Sequence, residues 1–429
     1  MKKILILLSY LYAYLLPGQK AQLPSIMVGQ EKYIDLGYPD LAFVESQLSI
    51  DPNDPKHMLA GAIMVDPTRT DDYWNVALTT FDGGVTWKFH KFEIPQAADP
   101  WGLIMENGEA LFSVLGFDSL LVYHSVDGGK TWGKAPINLG VGHDHQVLVE
   151  DRSNGPYKNS VYLTSIKGND IYIARKDSTN KPFQGISQFK ANNLNTNTLT
   201  PVVLSDGTLI ASYINFQRYG TDGAQWLQNE LAWIVKSNDG GRTFSPPLFV
   251  SEACGKGFDQ LGVDASDSKY KDRLYWLCAT PKDRAIYFHY STDSGNKWSQ
   301  PFPIRTFNQD TTYERPVFNN APMMAVNKEG IIGIIWQERE QHPPSKCQYL
   351  YFTASVDGGQ TFLPPVKISQ KPSCPLDGKN GWAGIRWKPG GDYQGLATTA
   401  NGNFLALWSD SRSGIFQLYQ AEIKVSARN

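Results

Sequence analysis

Apolar residues in this chain come in short runs broken by Gly, Pro, Asp, Asn and Ser. The stretch 259–305 shows the pattern most clearly. Apolar or aromatic runs at 261–263, 274–277, 286–290 and 303–305 read as four strands, and the third and fourth are joined by Ser291-Thr292-Asp293-Ser294-Gly295. Runs this short, bounded by turn formers, are strands and not helices. One apolar run is different in kind. It covers residues 4–16, follows Lys2 and Lys3, and gives way to Pro17, Gly18 and Ala21. A charged start, a short apolar middle and a small residue predict a signal peptide over 1–21, and a chain that is secreted or periplasmic after cleavage. The run is too short for a comfortable membrane span.

The turn between the third and fourth strands recurs. Ser/Thr-x-Asp-x-Gly-x-Thr/Lys-Trp/Phe starts at Thr80, Ser125, Ser237, Ser291 and Ser355 and ends at Trp87, Trp132, Phe244, Trp298 and Phe362. An Asp side chain accepts hydrogen bonds from nearby backbone N–H groups, the second Gly supplies positive φ, and the aromatic ring folds back beneath the turn. These aspartates therefore read as structural, not catalytic. Their spacings set the repeat: 127 − 82 = 45, 293 − 239 = 54 and 357 − 293 = 64 residues. The gap from Asp127 to Asp239 is 239 − 127 = 112 residues, two units, with a decayed copy at 176–183. A last unit follows at 396–423 without such a turn, and the segment around residues 32–36 is placed to supply its missing outer strand and close a ring. The predicted fold is all-β: a single propeller over 45–425 with four-stranded blades, seven in number, or six if the decayed copy is only a loop. Residues 22–44 form the N-terminal segment.

Composition agrees with this. Twelve Trp and 21 Tyr accompany 38 Gly and 26 Pro. The net charge of −2 gives no global field for nucleic acid or an anionic membrane. Four Cys, at 254, 278, 347 and 374, suit two disulfides in an exported chain, paired by proximity as Cys254–Cys278 and Cys347–Cys374. Their spacing is not that of a zinc site, and no phosphate loop, dinucleotide fingerprint or EF-hand-like loop occurs, so no cofactor and no metal are expected.

A propeller binds ligand at the mouth of its channel, away from the repeated turns. Inner strands are expected to begin near Glu45-Ser46-Gln47, Asp99-Pro100-Trp101, His143-Asp144-His145-Gln146, Thr200-Pro201, Asp259-Gln260, Asn320-Ala321-Pro322 and Asp392-Tyr393-Gln394. Polar groups there either serve chemistry or satisfy converging backbone. Loops between second and third strands add Arg218 with Glu230, Lys282, Asp283 and Arg284, Glu338 with Arg339 and Glu340, and Asp410 with Arg412. His143 and His145 alternate along one strand; a surface or backbone-bonded pair is the favoured reading, and a shared site with both rings facing one way, as base or metal ligand, is the alternative.

The repeated turns resemble the Asp boxes of the sialidase (neuraminidase) superfamily, over about residues 45–425. The resemblance implies a secreted, sialidase-like glycoside hydrolase. That family carries an arginine triad, a Tyr–Glu nucleophile pair and an Asp acid/base, with its first arginine in an Arg-Ile-Pro motif ahead of the first box. Here that stretch reads Phe43-Val44-Glu45-Ser46-Gln47-Leu48. The expectation is therefore a hydrolase of an acidic or decorated glycan, with specificity for sialic acid left open by the missing arginine. Arg315, Arg386 and Arg412 are candidates to clamp an anion. Tyr393, activated by Glu338 or Glu340, is the candidate nucleophile, Asp144 or Asp259 the acid, and His145, Asp392 and Asp99 further ligand-binding groups. The alternatives are a non-catalytic glycan- or protein-binding propeller, and a polysaccharide lyase using His145 or Tyr393 as base. The expected partner is a glycan or polysaccharide, and the expected state a monomer.

Overall fold

The computed structural model describes residues 23–117, 119–177, 181–190, 195–217, 228–252, 259–280, 285–307, 322–341, 344–374, 379–387 and 390–427. Seven antiparallel sheets follow one another along these residues, and the one helix among them, Gly381–Arg386, is a short loop element. The all-β propeller of seven blades is thus the observed architecture. Blade one consists of Ala42–Ile50, Met58–Val65, Tyr73–Thr80 and Lys88–Pro95, paired in sequence order from the inside outward. The region with the decayed turn is a full blade: Asp170–Lys176 pairs with Gln184–Lys190 as third and fourth strands. Ser178, Thr179 and Asn180 of that turn lie outside the described residues.

Burial follows the blade interfaces. Each pair of neighbouring sheets encloses its own apolar cluster. Blades one and two share Leu59, Ala77, Phe92 and Phe112, blades four and five Ile214, Ile234, Leu274 and Trp276, and blades six and seven Ile335, Phe352, Phe404 and Trp408. Inner strands touch in order around the ring, including the last, Gly395–Thr398, against the first, Ala42–Ile50. Blade seven takes its outer strands from the chain's other end: Ser25–Val28 and Lys32–Tyr33 both pair with Gln417–Ser426.

The five repeated turns join third to fourth strands. In the turn of blade four, Asp239 accepts from the Ser237 hydroxyl (2.8 Å), the Arg242 and Thr243 N–H groups (3.0 and 2.9 Å) and the Thr243 hydroxyl (2.6 Å). The same turns also fasten blades together. His57 donates to the Gly128 carbonyl (2.7 Å), Arg175 to Gly240 (2.6 Å) and Arg273 to Gly358 (2.7 Å), each donor lying in the preceding blade. Cys347 and Cys374 are disulfide-bonded. Cys278 is also in a disulfide, and its expected partner Cys254 lies outside the described residues.

Candidate active site

The inner strands of blades one, two and three share a deformation at the end nearest the channel mouth. Register slips between Val44 and Gln47, between Ala98 and Trp101, and between Asp144 and Val147. At each slip a residue other than glycine takes positive φ: Glu45 (53°), Asp99 (48°) and His145 (53°). Such a conformation costs about 1–2 kcal/mol per residue, and bulges of this kind re-aim side chains. Three consecutive blades thus carry the same cost at a functional-group residue.

Beside them the glutamines act as spacers. Gln47 bonds both ways with the Gly102 backbone (3.0 and 2.8 Å), Gln260 accepts from the Met324 N–H (2.6 Å), Gln146 donates to the Asp99 carbonyl, and Gln394 accepts from the Ser46 hydroxyl (3.1 Å) and the Ser409 N–H (2.9 Å). For these residues, satisfying converging backbone and strand ends is the role observed.

A pocket of about 380 Å³ opens at the mouth, lined by residues that include Trp101, His145, Asp259, Gln260, Asp392 and Tyr393. Tyr393 is 7% exposed, and its hydroxyl has no hydrogen-bond partner. Its ring meets that of Trp101 edge-to-face, with centroids 6.0 Å apart. Burial, then the charges of Glu45, Asp99, Asp392 and Asp144, raise the phenol well above its ordinary range.

Glu45 is buried behind this tyrosine at 3% exposure. Its N–H donates to the Gly390 carbonyl (2.8 Å), and its carboxylate accepts from the Asp392 N–H. Gly391 makes the approach possible: at φ 120°, a Cβ there would stand 2.3 Å from Glu45 Cγ. One carboxylate oxygen of Glu45 has no hydrogen-bond partner. Burial pushes the group well up, reinforced by Asp392 and Asp99 and opposed by Arg386. Asp99 is partly buried and rises to about 6, through burial first and then the charges of Asp144 and Asp392, against the pull of His145.

The bulge also separates the two histidines. His143 is turned to the Ser165 hydroxyl (2.8 Å) and the Leu139 carbonyl (3.2 Å), whereas His145 lines the pocket. His145 Nδ1 donates to the Thr198 carbonyl (2.8 Å), which leaves Nε2 as the nitrogen for the pocket. Each ring thus bonds a backbone carbonyl, in line with the favoured reading, and the bulge removes the regular alternation that a shared site for the two would need.

Other candidates are placed elsewhere. Glu338, expected to activate Tyr393, is held in a two-point ion pair with Arg305 and accepts from the Trp336 indole (3.0 Å). The carboxylates acting on Tyr393 are those named above, with Glu45 first among them. Arg412, expected to clamp an anion, is bound by Asp410 (2.6 Å) and Glu31 and joins blade seven to the N-terminal segment. Arg386 is exposed near Glu45, over the Trp387 ring at 5.3 Å. Asp144 and Asp392 are exposed at the mouth, while Asp259 is buried and accepts from the Trp276 indole (3.2 Å). Arg315, Arg218, Asn320, Ala321, Lys282, Asp283, Arg284 and the side chains of Glu230 and Glu340 lie outside the described residues. No group of three or more His, Cys, Asp or Glu among the described residues is arranged to hold a metal. Sequence reasoning placed Glu45 at an inner-strand start but gave it no chemistry. Its signal was the acidic residue in the frame of Asp99 and His145.

Solved structures share this fold. A protein of unknown function from Dyadobacter fermentans aligns over 94% of this chain and 100% of its own, with TM-score 0.55 at 11% identity. Trypanosoma rangeli sialidase aligns over 89% of this chain at TM-score 0.46 and 10% identity, and this chain spans only 54% of its length. Penicillium chrysogenum α-L-arabinanase aligns over 77% of this chain and 93% of its own, at TM-score 0.44 and 15% identity. The likeness is one of fold. No protein-family model and no curated protein matches the sequence.

Proposed function

We propose that the protein is an exported glycoside hydrolase whose reaction takes place in the pocket at the channel mouth. One observation carries this reading: a buried tyrosine hydroxyl without a hydrogen-bond partner stands in a pocket also lined by Asp259 and Asp392, with Glu45 behind it. Glycoside cleavage needs a nucleophile or base on one side of the bond and an acid on the other. Tyr393 is suited to the first role. Its phenol resists ionisation, so it attacks only as its proton leaves, and Glu45, raised by burial, is a correspondingly stronger proton acceptor. Asp259, from blade five, is suited to protonate the leaving oxygen. Arg412 is committed to Asp410 and Glu31, so the arginine clamp of the sequence reading is not assembled among the described residues. Export is supported by the Cys347–Cys374 disulfide, and no described helix is long and apolar enough to cross a membrane.

The test is release of free sugar by the mature protein from a panel of neutral, amino, uronic and sialylated oligosaccharides, read by mass. Tyr393→Phe and Asp259→Asn are expected to lower turnover by roughly a hundredfold or more with Tm preserved. Unchanged turnover in Tyr393→Phe would remove the nucleophile assignment. An unsaturated product absorbing in the ultraviolet would replace hydrolysis with elimination.

A further inference from the structure

The pocket has an aromatic side and an apolar side. Trp101 of blade two and Tyr393, just ahead of the inner strand of blade seven, meet edge-to-face with centroids 6.0 Å apart. Only blade one separates these two blades in the ring. The other blades bring Val147 from blade three, Leu199 from four, and Pro322 and Met323 from six. Val147, Leu199 and Pro322 are buried.

Polar groups on the apolar side are already engaged. The Gln260 side chain accepts from the Met324 N–H (2.6 Å) and donates to the Met323 sulfur (3.2 Å), and the Thr198 carbonyl accepts from His145 Nδ1. Tyr393 offers the ligand a donor. Burial and the nearby carboxylates hold its phenol protonated, and that O–H has no acceptor in the protein. His145 offers the complement: with Nδ1 donating, Nε2 of the neutral ring is an acceptor.

One donor, one acceptor and an apolar wall suit an uncharged sugar with an apolar substituent. The group on the exocyclic carbon then decides the fit. A hydroxymethyl laid on this wall would bury its hydroxyl without a partner from it, and a carboxylate would lose still more hydration. A methyl buries only carbon there. An acetamido group carries an N–H and a carbonyl along with its methyl, and the engaged Gln260 amide leaves them unmatched on that side.

We propose that the pocket takes a neutral 6-deoxyhexose, its C6 methyl against Val147, Leu199 and Met323 and one of its oxygens accepting from the Tyr393 hydroxyl. This inference rests on the glycan reading above and narrows it to one class of sugar.

Binding is measured by ligand-observed NMR titration of the mature protein at pH 7, apart from any cleavage. The probes are methyl glycosides in matched pairs that differ only at C6: L-fucose with L-galactose, L-rhamnose with L-mannose, and 6-deoxy-D-glucose with D-glucose, as both anomers. The methyl glycosides of N-acetylglucosamine and glucuronate complete the set. In at least one pair the 6-deoxy sugar should bind at least roughly tenfold more tightly than its partner, and more tightly than the acetamido sugar and the hexuronate. Val147→Thr, which puts a hydroxyl on the apolar wall, should narrow that preference several-fold, with Tm checking that the fold is intact. Tyr393→Phe should weaken binding several-fold while the preference for the methyl stays. No preference in any pair overturns the inference, as does tightest binding of the acetamido sugar or the hexuronate. An unmoved preference in a folded Val147→Thr overturns the wall as the seat of the methyl, and an unmoved Kd in Tyr393→Phe overturns the hydroxyl contact. Methyl-selective binding without release of the sugar from its oligosaccharides sustains the inference and removes the hydrolase reading. Release of sugar with no preference for the methyl does the reverse.

Discussion

Asp99 shows what the mouth costs the fold. Its carboxyl titrates near 6 in the folded protein, against about 3.9 in an unfolded chain. Between those values the folded state holds more proton than the unfolded state, so stability falls as pH rises from about 4 to 6. Removing the charge should reverse this. Asp99→Asn keeps an oxygen to accept the His145 N–H (3.1 Å in the native protein). It is expected to raise stability at pH 7.5 by on the order of 2 kcal/mol, with the gain gone by pH 4. Thermal melts of both proteins across that range provide the check. The positioning role of Gly391 predicts a contrasting outcome. Gly391→Ala should displace Glu45 and lower turnover even though no group that meets the ligand is altered. The chemistry of these residues was only partly legible in the sequence. Asp99, His145, Asp392 and Tyr393 stood out as polar or aromatic groups at strand starts. That Glu45 lies behind Tyr393 depends on a bulge and on contact between the first and last inner strands, which no local pattern encodes. Glu338 and Arg412 were misleading for the opposite reason. A charged residue in a loop looks the same in sequence whether or not Arg305 or Glu31 neutralises it.

The repeated turns titrate with the opposite sign. For Asp239, desolvation is the largest single influence and pushes upward. Bonds from the Thr243 hydroxyl and N–H and the Ser237 hydroxyl together outweigh it and hold the group at about 2. Asp127 is held at about 2 in the same way. Folded carboxyls below the unfolded value stabilise above pH 4, and that contribution is lost as pH falls toward 2. Between turns and mouth, these groups place maximal stability near pH 4–5, which a pH series of denaturant midpoints would locate. Asp239→Ala should cost about 2 kcal/mol at pH 7 and little at pH 2. The turns were the most legible feature because one side chain, one glycine and one aromatic make each of them within a few residues. Their second function, receiving donors such as His57, Arg175 and Arg273 from the preceding blade, involves partners 65 to 85 residues away. That distance hid it.

At the scale of the molecule, seven apolar clusters between seven blades divide the core into equivalent seams, so no single seam holds the ring. Spacing of the turns set the blade length, and seven blades followed once the decayed copy and the last, turnless unit were counted, with six left as the alternative, because a four-stranded sheet needs a nearly fixed length of chain. Cross-links are local by comparison. The Cys347–Cys374 bond closes a separation of 27 residues, and replacing both with serine should cost about 3–4 kcal/mol without opening the ring, as denaturant titration would show.

The pairing of Ser25–Val28 with Gln417–Ser426 joins residues about 400 positions apart, as Ser25 and Ser426 illustrate with a separation of 401. During synthesis the strand made early therefore waits for its partner until nearly every blade has emerged. Until then blade seven has no outer strand. The pocket likewise needs both ends of the chain: Glu45 comes from the first inner strand and Tyr393 from just ahead of the last, so a chain interrupted before residue 393 would present Glu45, Asp99 and Asp144 without the tyrosine they act on.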